Sequence, residues 1–245
     1  MVSKNTIKRI TSLGQKKYRN REGIFVAEGI KVITELLQST FLLKELYVED
    51  ENAFAKAITK KEASKIFKAT HTELKKLSFL KTPQKAVAVF NIPKESIIDR
   101  GGITVVIDDV RDPGNLGTII RLCDWFGIKQ LICSPQTVDC FNPKVVQATM
   151  GSLTRVHIIY TNLEEYLKEE HRTIYGTFMD GTNIYQCTLE KEGVLIMGNE
   201  ANGISSTIEH YINSRIAIPR FGVQQATESL NVATAAAISL SEFKR

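Results

Sequence analysis

The residues of this 245-residue chain best placed to do chemistry lie in three polar segments of its second half. They are NLGTIIR (Asn115 to Arg121), MGNEANGI (Met197 to Ile204) and IPRFGVQQATESLNVATAAAI (Ile218 to Ile238). Each follows a short apolar run that reads as a strand: ITVVID from Ile103, VLIM from Val194 and RIAIP from Arg215. Polar loops at the ends of buried strands are where α/β proteins place ligands. Gly198, directly after its strand, has no Cβ and would let backbone amides approach a flat ligand. Neither GxGxxG nor GxxxxGK followed by Ser or Thr occurs, which removes the dinucleotide-fold and phosphate-loop readings. Taken singly, each segment has a plain structural role. Asn115 could cap the next helix, Arg121 could be a surface arginine, GNEANG a turn, and Ser229 or Asn231 an N-cap. Caps do not account for the whole ESLN cluster, nor for the three segments occurring together.

The elements that must position these loops alternate strand and helix. Strands are expected near Ile103–Asp108, Gln130–Cys133, Arg155–Ile159, Thr173–Thr177, Val194–Met197 and Ile216–Ile218. Helices fall near Leu116–Phe126, Pro143–Met150, Leu163–Glu169, Ser205–Tyr211 and Leu230–Phe243. Short apolar strands between helices predict a parallel sheet covered on both faces. Ahead of them, from Lys4 to Asn91, a basic helix, a strand at Ile24–Ala27, a helix at Gly29–Gln38, the strand LKELYV, a short helix near Ala53–Ala57, KIFKA, HTELKKLSF and AVAVF predict a smaller α/β domain. NIPKESIIDRGG (Asn91 to Gly102) reads as the linker, because Pro93 disfavours helix before it and Gly101-Gly102 is permissive. Two domains follow, 1–95 and 96–245.

Composition excludes several classes. The chain is 43% hydrophobic and 24% charged, with no apolar run near the ~18 to 20 residues of a membrane span and no signal-peptide core in MVSKNTIKRI. A cytoplasmic protein with no membrane partner is expected. Cys123, Cys133, Cys140 and Cys187 show no metal-binding spacing, so free thiols and no bound metal are expected. Charge is uneven: residues 1–100 hold 20 Lys+Arg against 11 Asp+Glu, a net of +9, and residues 101–245 hold 12 against 16, a net of −4. Lys16, Lys17, Arg19 and Arg21 crowd around Tyr18 near the start. Charge runs are usually solvated faces, but a basic part joined to a slightly acidic one is also the footprint of a polyanion partner such as RNA.

NLGTIIR, GNEANG and SLNV followed by small residues, in this order, resemble the SpoU/TrmH family of ribose 2′-O RNA methyltransferases within the SPOUT class. YRNREGIFVAEGIKVITELL (Tyr18 to Leu37) resembles the substrate-binding domain that precedes the catalytic domain in that family. The resemblance implies an α/β fold in which a C-terminal SPOUT domain, a parallel sheet with a deep trefoil knot, follows a ribosomal-protein-like α/β/α domain. It implies S-adenosyl-L-methionine as cofactor, with Gly198, Ile218 and Leu230 at matching contact positions and Thr177 as a further candidate. Asn115, Arg121, Glu200, Ser229 and Asn231 match the polar set around the methyl acceptor, with Glu200 expected to orient Arg121 and with Ser229 and Asn231 fixing the ribose. It also implies a homodimer through the knotted domain and RNA contact by Lys16, Lys17, Arg19 and Arg21, with ribosomal RNA favoured over tRNA. A non-catalytic RNA-binding or ribosome-assembly factor and a base-nitrogen methyltransferase remain as alternatives.

Overall fold

A computed structural model describes residues 2–59, 62–93, 101–222 and 229–245. Contacts divide the chain into two units, Met1–Lys94 with Asp139–Thr154, and Glu95–Val138 with Arg155–Arg245. The expected boundary near residue 95 and most of the expected linker lie outside the described residues, as does the stretch 223–228 of the third polar segment.

In the first unit, helices α1 (Lys4–Ser12) and α2 (Lys16–Glu22) lead into β1 (Ile24–Glu28), α3 (Ile30–Leu37), β2 (Leu43–Val48), β3 (Ile66–Lys68), α4 (His71–Leu77) and β4 (Ala86–Asn91). The single basic helix expected at the start is thus two. Ser3 caps α1 through Thr6 N at 3.1 Å, and Gly23, at φ +63°, closes α2 in the left-handed region. The short helix expected near Ala53–Ala57 is a 3-10 turn at Glu51–Phe54. The strands form a sheet in the order β1-β4-β2-β3, with β4 antiparallel to both neighbours and β3 parallel to β2 at one edge. β1 is buried at all five positions, and Ile24, Val26, Val87 and Val89 pack with Ile10, Leu13, Leu74 and Leu77. Burying branched and aromatic side chains on this surface is the main favourable term holding the unit.

The segment Asp139–Thr154, with helix α6 (Pro143–Thr149), joins this first unit by packing. Phe141 lies 4.8 Å from Phe25 between ring centroids. Asp139 accepts from Arg19 Nε at 2.9 Å and also from Nη2, while Nη1 donates to Leu13 O at 2.7 Å. Arg19 is 1% exposed, which corrects its expected place among the RNA-contacting cations. Its guanidinium is consumed by internal partners, as a buried charge must be.

The second unit is a six-stranded, wholly parallel sheet in the order β10-β8-β9-β5-β6-β7. Its strands are β5 (Ile103–Ile107), β6 (Gln130–Cys133), β7 (His157–Tyr160), β8 (Ile174–Asn183), β9 (Gly193–Met197) and β10 (Ser214–Ala217). Its helices are α5 (Pro113–Trp125), α7 (Leu163–Lys168), α8 (Ser206–Glu209) and α9 (Val232–Phe243). β5, β6 and β9 are buried at every position, as expected of strands covered on both faces. β8 is longer than the expected TIYGT run. It pairs with β10 at Tyr175 and Gly176, then again at Thr182 and Asn183, leaving residues 177–181 to bulge.

Candidate functional site

The bulge of β8, the loop after β9 and the chain after β10 surround a cavity of about 1160 Å³ within the second unit. Thr177, Gly198, Glu200, Ile218, Ser229 and Leu230 all line it. Backbone sterics shape the β9 loop. A Cβ on Gly198 would stand 2.2 Å from Gly203 C and 2.3 Å from Ile204 N, closer than any real contact. Glycine is therefore demanded by the loop's own return strand, a steric reason the sequence does not show. Gly203 makes the return at φ +69°, where Asn199 and Gly203 exchange backbone hydrogen bonds of 2.9 and 3.0 Å. Asn199, which the sequence reading passed over, ties this loop to the end of β5 by donating to Asp109 O at 2.6 Å. Its Oδ1 accepts from Ala201 N and Asn202 N.

Asn115 does not cap α5 as expected. Asp112 does, accepting from Asn115 N at 2.8 Å, and Pro113 opens the helix. The Asn115 amide is thereby free to bridge two loops. It donates to Glu200 Oε1 at 2.9 Å and accepts from Asn231 Nδ2 at 2.8 Å. Asn231 Oδ1 in turn caps α9, accepting from Ala233 N and Thr234 N. Three residues from three separated segments thus form one chain of hydrogen bonds. Glu200 also accepts from Arg111 N and Asp112 N at 3.3 and 3.2 Å. Burial pushes the Glu200 carboxyl up, but the bonds from Asn115 and these backbone amides more than offset it, and the net direction is below the ordinary 4.5.

Glu200 does not hold Arg121. No ion pair or hydrogen bond joins the two, and the carboxylate is spent on Asn115 and on the backbone just ahead of α5. Arg121 is exposed on α5, and Ser229 is exposed just ahead of α9. Glu228, the first residue of ESLN, lies outside the described residues. Lys16, Lys17 and Arg21 are exposed in the first unit, with Lys17 and Arg21 within 5 Å of the Tyr18 ring centroid, at 4.8 and 4.9 Å.

Two further features were missed. Arg215 crosses the bulge, pairing with Asp180 at 2.7 Å and with Glu209 and lying 3.5 Å from the Phe178 ring centroid. Ser239 on α9 is fully buried, lines the cavity, and its Oγ has no hydrogen-bond partner among the described residues. A serine inside an apolar helix face gave no sequence signal. A buried orphan hydroxyl at a cavity wall fits a polar occupant.

Residues 102–241 match the profile described as the SpoU rRNA Methylase family. The chain belongs to the SpoU rRNA methylase family. Residues 4–88 of this SpoU-family chain match a second profile, the MRM3-like substrate binding domain. It is 32% identical to the 23S rRNA (guanosine(2553)-2′-O)-methyltransferase RlmP of Bacillus subtilis over 92% of the chain and 90% of that protein. A solved structure of a TrmH-family protein from Porphyromonas gingivalis superposes with a TM-score of 0.89 at 37% identity, covering 100% of this chain and 99% of that one. An AdoMet-bound rRNA methyltransferase from Sinorhizobium meliloti superposes with a TM-score of 0.87 at 29% identity, covering 100% and 97%. Among the described residues, no helix is long and apolar enough to cross a membrane, and no group of three His, Cys, Asp or Glu is placed to hold a metal.

Proposed function

We propose that this chain is an S-adenosyl-L-methionine-dependent RNA methyltransferase that modifies a ribose 2′-hydroxyl, with ribosomal RNA as substrate. The observation that carries the reading is the Asn231–Asn115–Glu200 chain beside the cavity, within the SpoU-family domain. The cofactor, when bound, supplies a methyl group on a sulfonium. The backbone around Gly198 and Ile218, with Thr177, Leu230 and the orphan Ser239 hydroxyl, would hold it.

The chain's own polar residues face the acceptor in this reading. Glu200 fixes Asn115, and Asn115 fixes Asn231, so their amides are oriented before RNA arrives. Arg121, exposed on α5, grips a phosphate of the acceptor strand and stabilises charge developing on the ribose oxygen. An arginine is a poor proton acceptor at neutral pH, so the hydroxyl proton leaves to phosphate or water. Ser229 steadies the ribose. Lys16, Lys17 and Arg21 add electrostatic attraction for RNA. A homodimer through the second unit, the trefoil knot and a cytoplasmic location belong to the same proposal. The uncovered Trp125 at the end of α5, 84% exposed, supports the dimer.

The test incubates the protein and its Arg121→Ala variant with methyl-deuterated cofactor and unmodified rRNA or tRNA pools, read by nucleoside mass spectrometry. Deuterium on a ribose of rRNA, reduced at least about 100-fold in the variant, is expected. Label on a base, or none despite cofactor binding, sinks the ribose reading. Full turnover and unchanged RNA affinity in Arg121→Lys would refute the two-point phosphate grip.

A further inference from the structure

Away from the strand-end cavity, the first unit holds a recess of about 590 Å³ between the start of α1 and the β2–β3 edge of its sheet. Arg9, Tyr47, Phe67 and Lys68 are among its walls. Phe67 lies on the three-residue edge strand β3 and is 44% exposed. It pairs in register with Tyr47, and the two rings stack with centroids 5.3 Å apart at 24°. Tyr47 is buried in the core of the unit, and its hydroxyl donates to Glu45 at 2.7 Å, the same carboxylate that holds Arg9. The inner ring is thereby fixed from behind, and Phe67 is presented as a rigid flat surface open to the recess.

The chemistry of the occupant follows from what surrounds that ring. One face of Phe67 is used by Tyr47, and the remaining exposure is a π surface on a part of the chain carrying a net charge of +9 over its first 100 residues. Lys68 adjoins it at the wall, exposed. An aromatic platform with a neighbouring cation matches an unpaired base and its phosphate, since every base has a stacking face and every phosphate a charge. We propose that this recess takes one unpaired nucleotide of the RNA substrate, its base stacked on Phe67 and its phosphate held by Lys68. The proposal rests on the RNA methyltransferase reading and adds to it a recognition subsite in the first unit.

Filter binding of the whole protein to an unmodified 23S rRNA transcript, over a salt series, tests it. Phe67→Leu keeps apolar bulk but removes the π face, and should weaken binding roughly tenfold at every salt concentration with the salt slope unchanged. Phe67→Trp should bind as tightly as the parent. Lys68→Ala should flatten the slope by about 0.7, the loss of one single-strand phosphate contact. Equal affinity of Phe67→Leu and the parent, or no binding by the parent, overturns the proposal, and Phe67→Trp as weak as Phe67→Leu does the same. Melting curves of each variant establish that it folds. Methyl transfer to the same transcript by the parent is read in parallel. Its absence refutes the methyltransferase reading, while the Phe67→Leu binding ratio still decides the subsite.

Discussion

The two units each hold a polar cluster joining residues far apart in sequence, and they hold it in opposite ways. In the first, Arg19 is buried and Asp139 nearly so, and the guanidinium is satisfied by Asp139 and Leu13 O. In the second, Asn231, Asn115 and Glu200 are linked at the solvent-facing edge of the strand-end loops, with Asn231 and Glu200 exposed. Burial makes a charge a structural strut, because removing its partner leaves an uncompensated ion. Exposure leaves polar groups oriented and still able to exchange an internal partner for a substrate.

That contrast is sharpest at Arg19. Arg19→Met should cost about 3–5 kcal/mol of folding stability by stranding Asp139, whereas Lys17→Ala should stay within about 0.5 kcal/mol and lose RNA affinity instead. Urea unfolding of both variants reads this, and a parent-like Arg19→Met would erase the distinction between strut and contact. Next in size, Gly198→Ala forces a Cβ into backbone 2.2 Å away and should cost about 2–3 kcal/mol, with loss of cofactor affinity by calorimetry. If it were neutral, the loop would be far more yielding than its hydrogen bonds suggest.

Asn115→Ala and Asn231→Ala probe the exposed cluster. Asn231→Ala should cost about 1 kcal/mol through the lost cap, and a double-mutant cycle with Asn115→Ala should give a coupling of about 0.5–1.5 kcal/mol in stability. Zero coupling would separate the cap from the bridge. The smallest effect is that of pH on Glu200. Its folded carboxyl lies below the ordinary 4.5, so its stabilisation is complete above about pH 4.5 and is lost as pH falls through the lower folded value. Glu200→Gln should therefore flatten only that acid limb, measured as melting temperature against pH. A change of slope near neutrality would contradict the assignment.

Much of the fold was legible because periodicity reports burial. The uniform apolar runs at Ile103, Gln130 and Val194 are the central parallel strands, and HTELKKLSF from His71 is α4. The five-residue bulge in β8 was not legible as a bulge: Asp180-Gly181 signals a turn, but the shape of 177–181 depends on β10 alongside. Asn115 as a cap was a fair local reading, defeated because the helix begins two residues earlier, at Pro113 with Asp112 as its cap, which puts Asn115 inside the first turn.

The sequence by itself determined which residue types stand at the strand ends, the charge division between the two parts of the chain, and the membership signalled by NLGTIIR, GNEANG and SLNV. Those are local properties, written in order along the chain. Only the tertiary structure decided that Arg19 faces inward to a partner 120 residues away, and that Glu200 holds Asn115 and not Arg121. Partner choice among polar side chains depends on differences of about a few tenths of an ångström in the separation of segments remote in sequence, and no spacing rule along one chain encodes them.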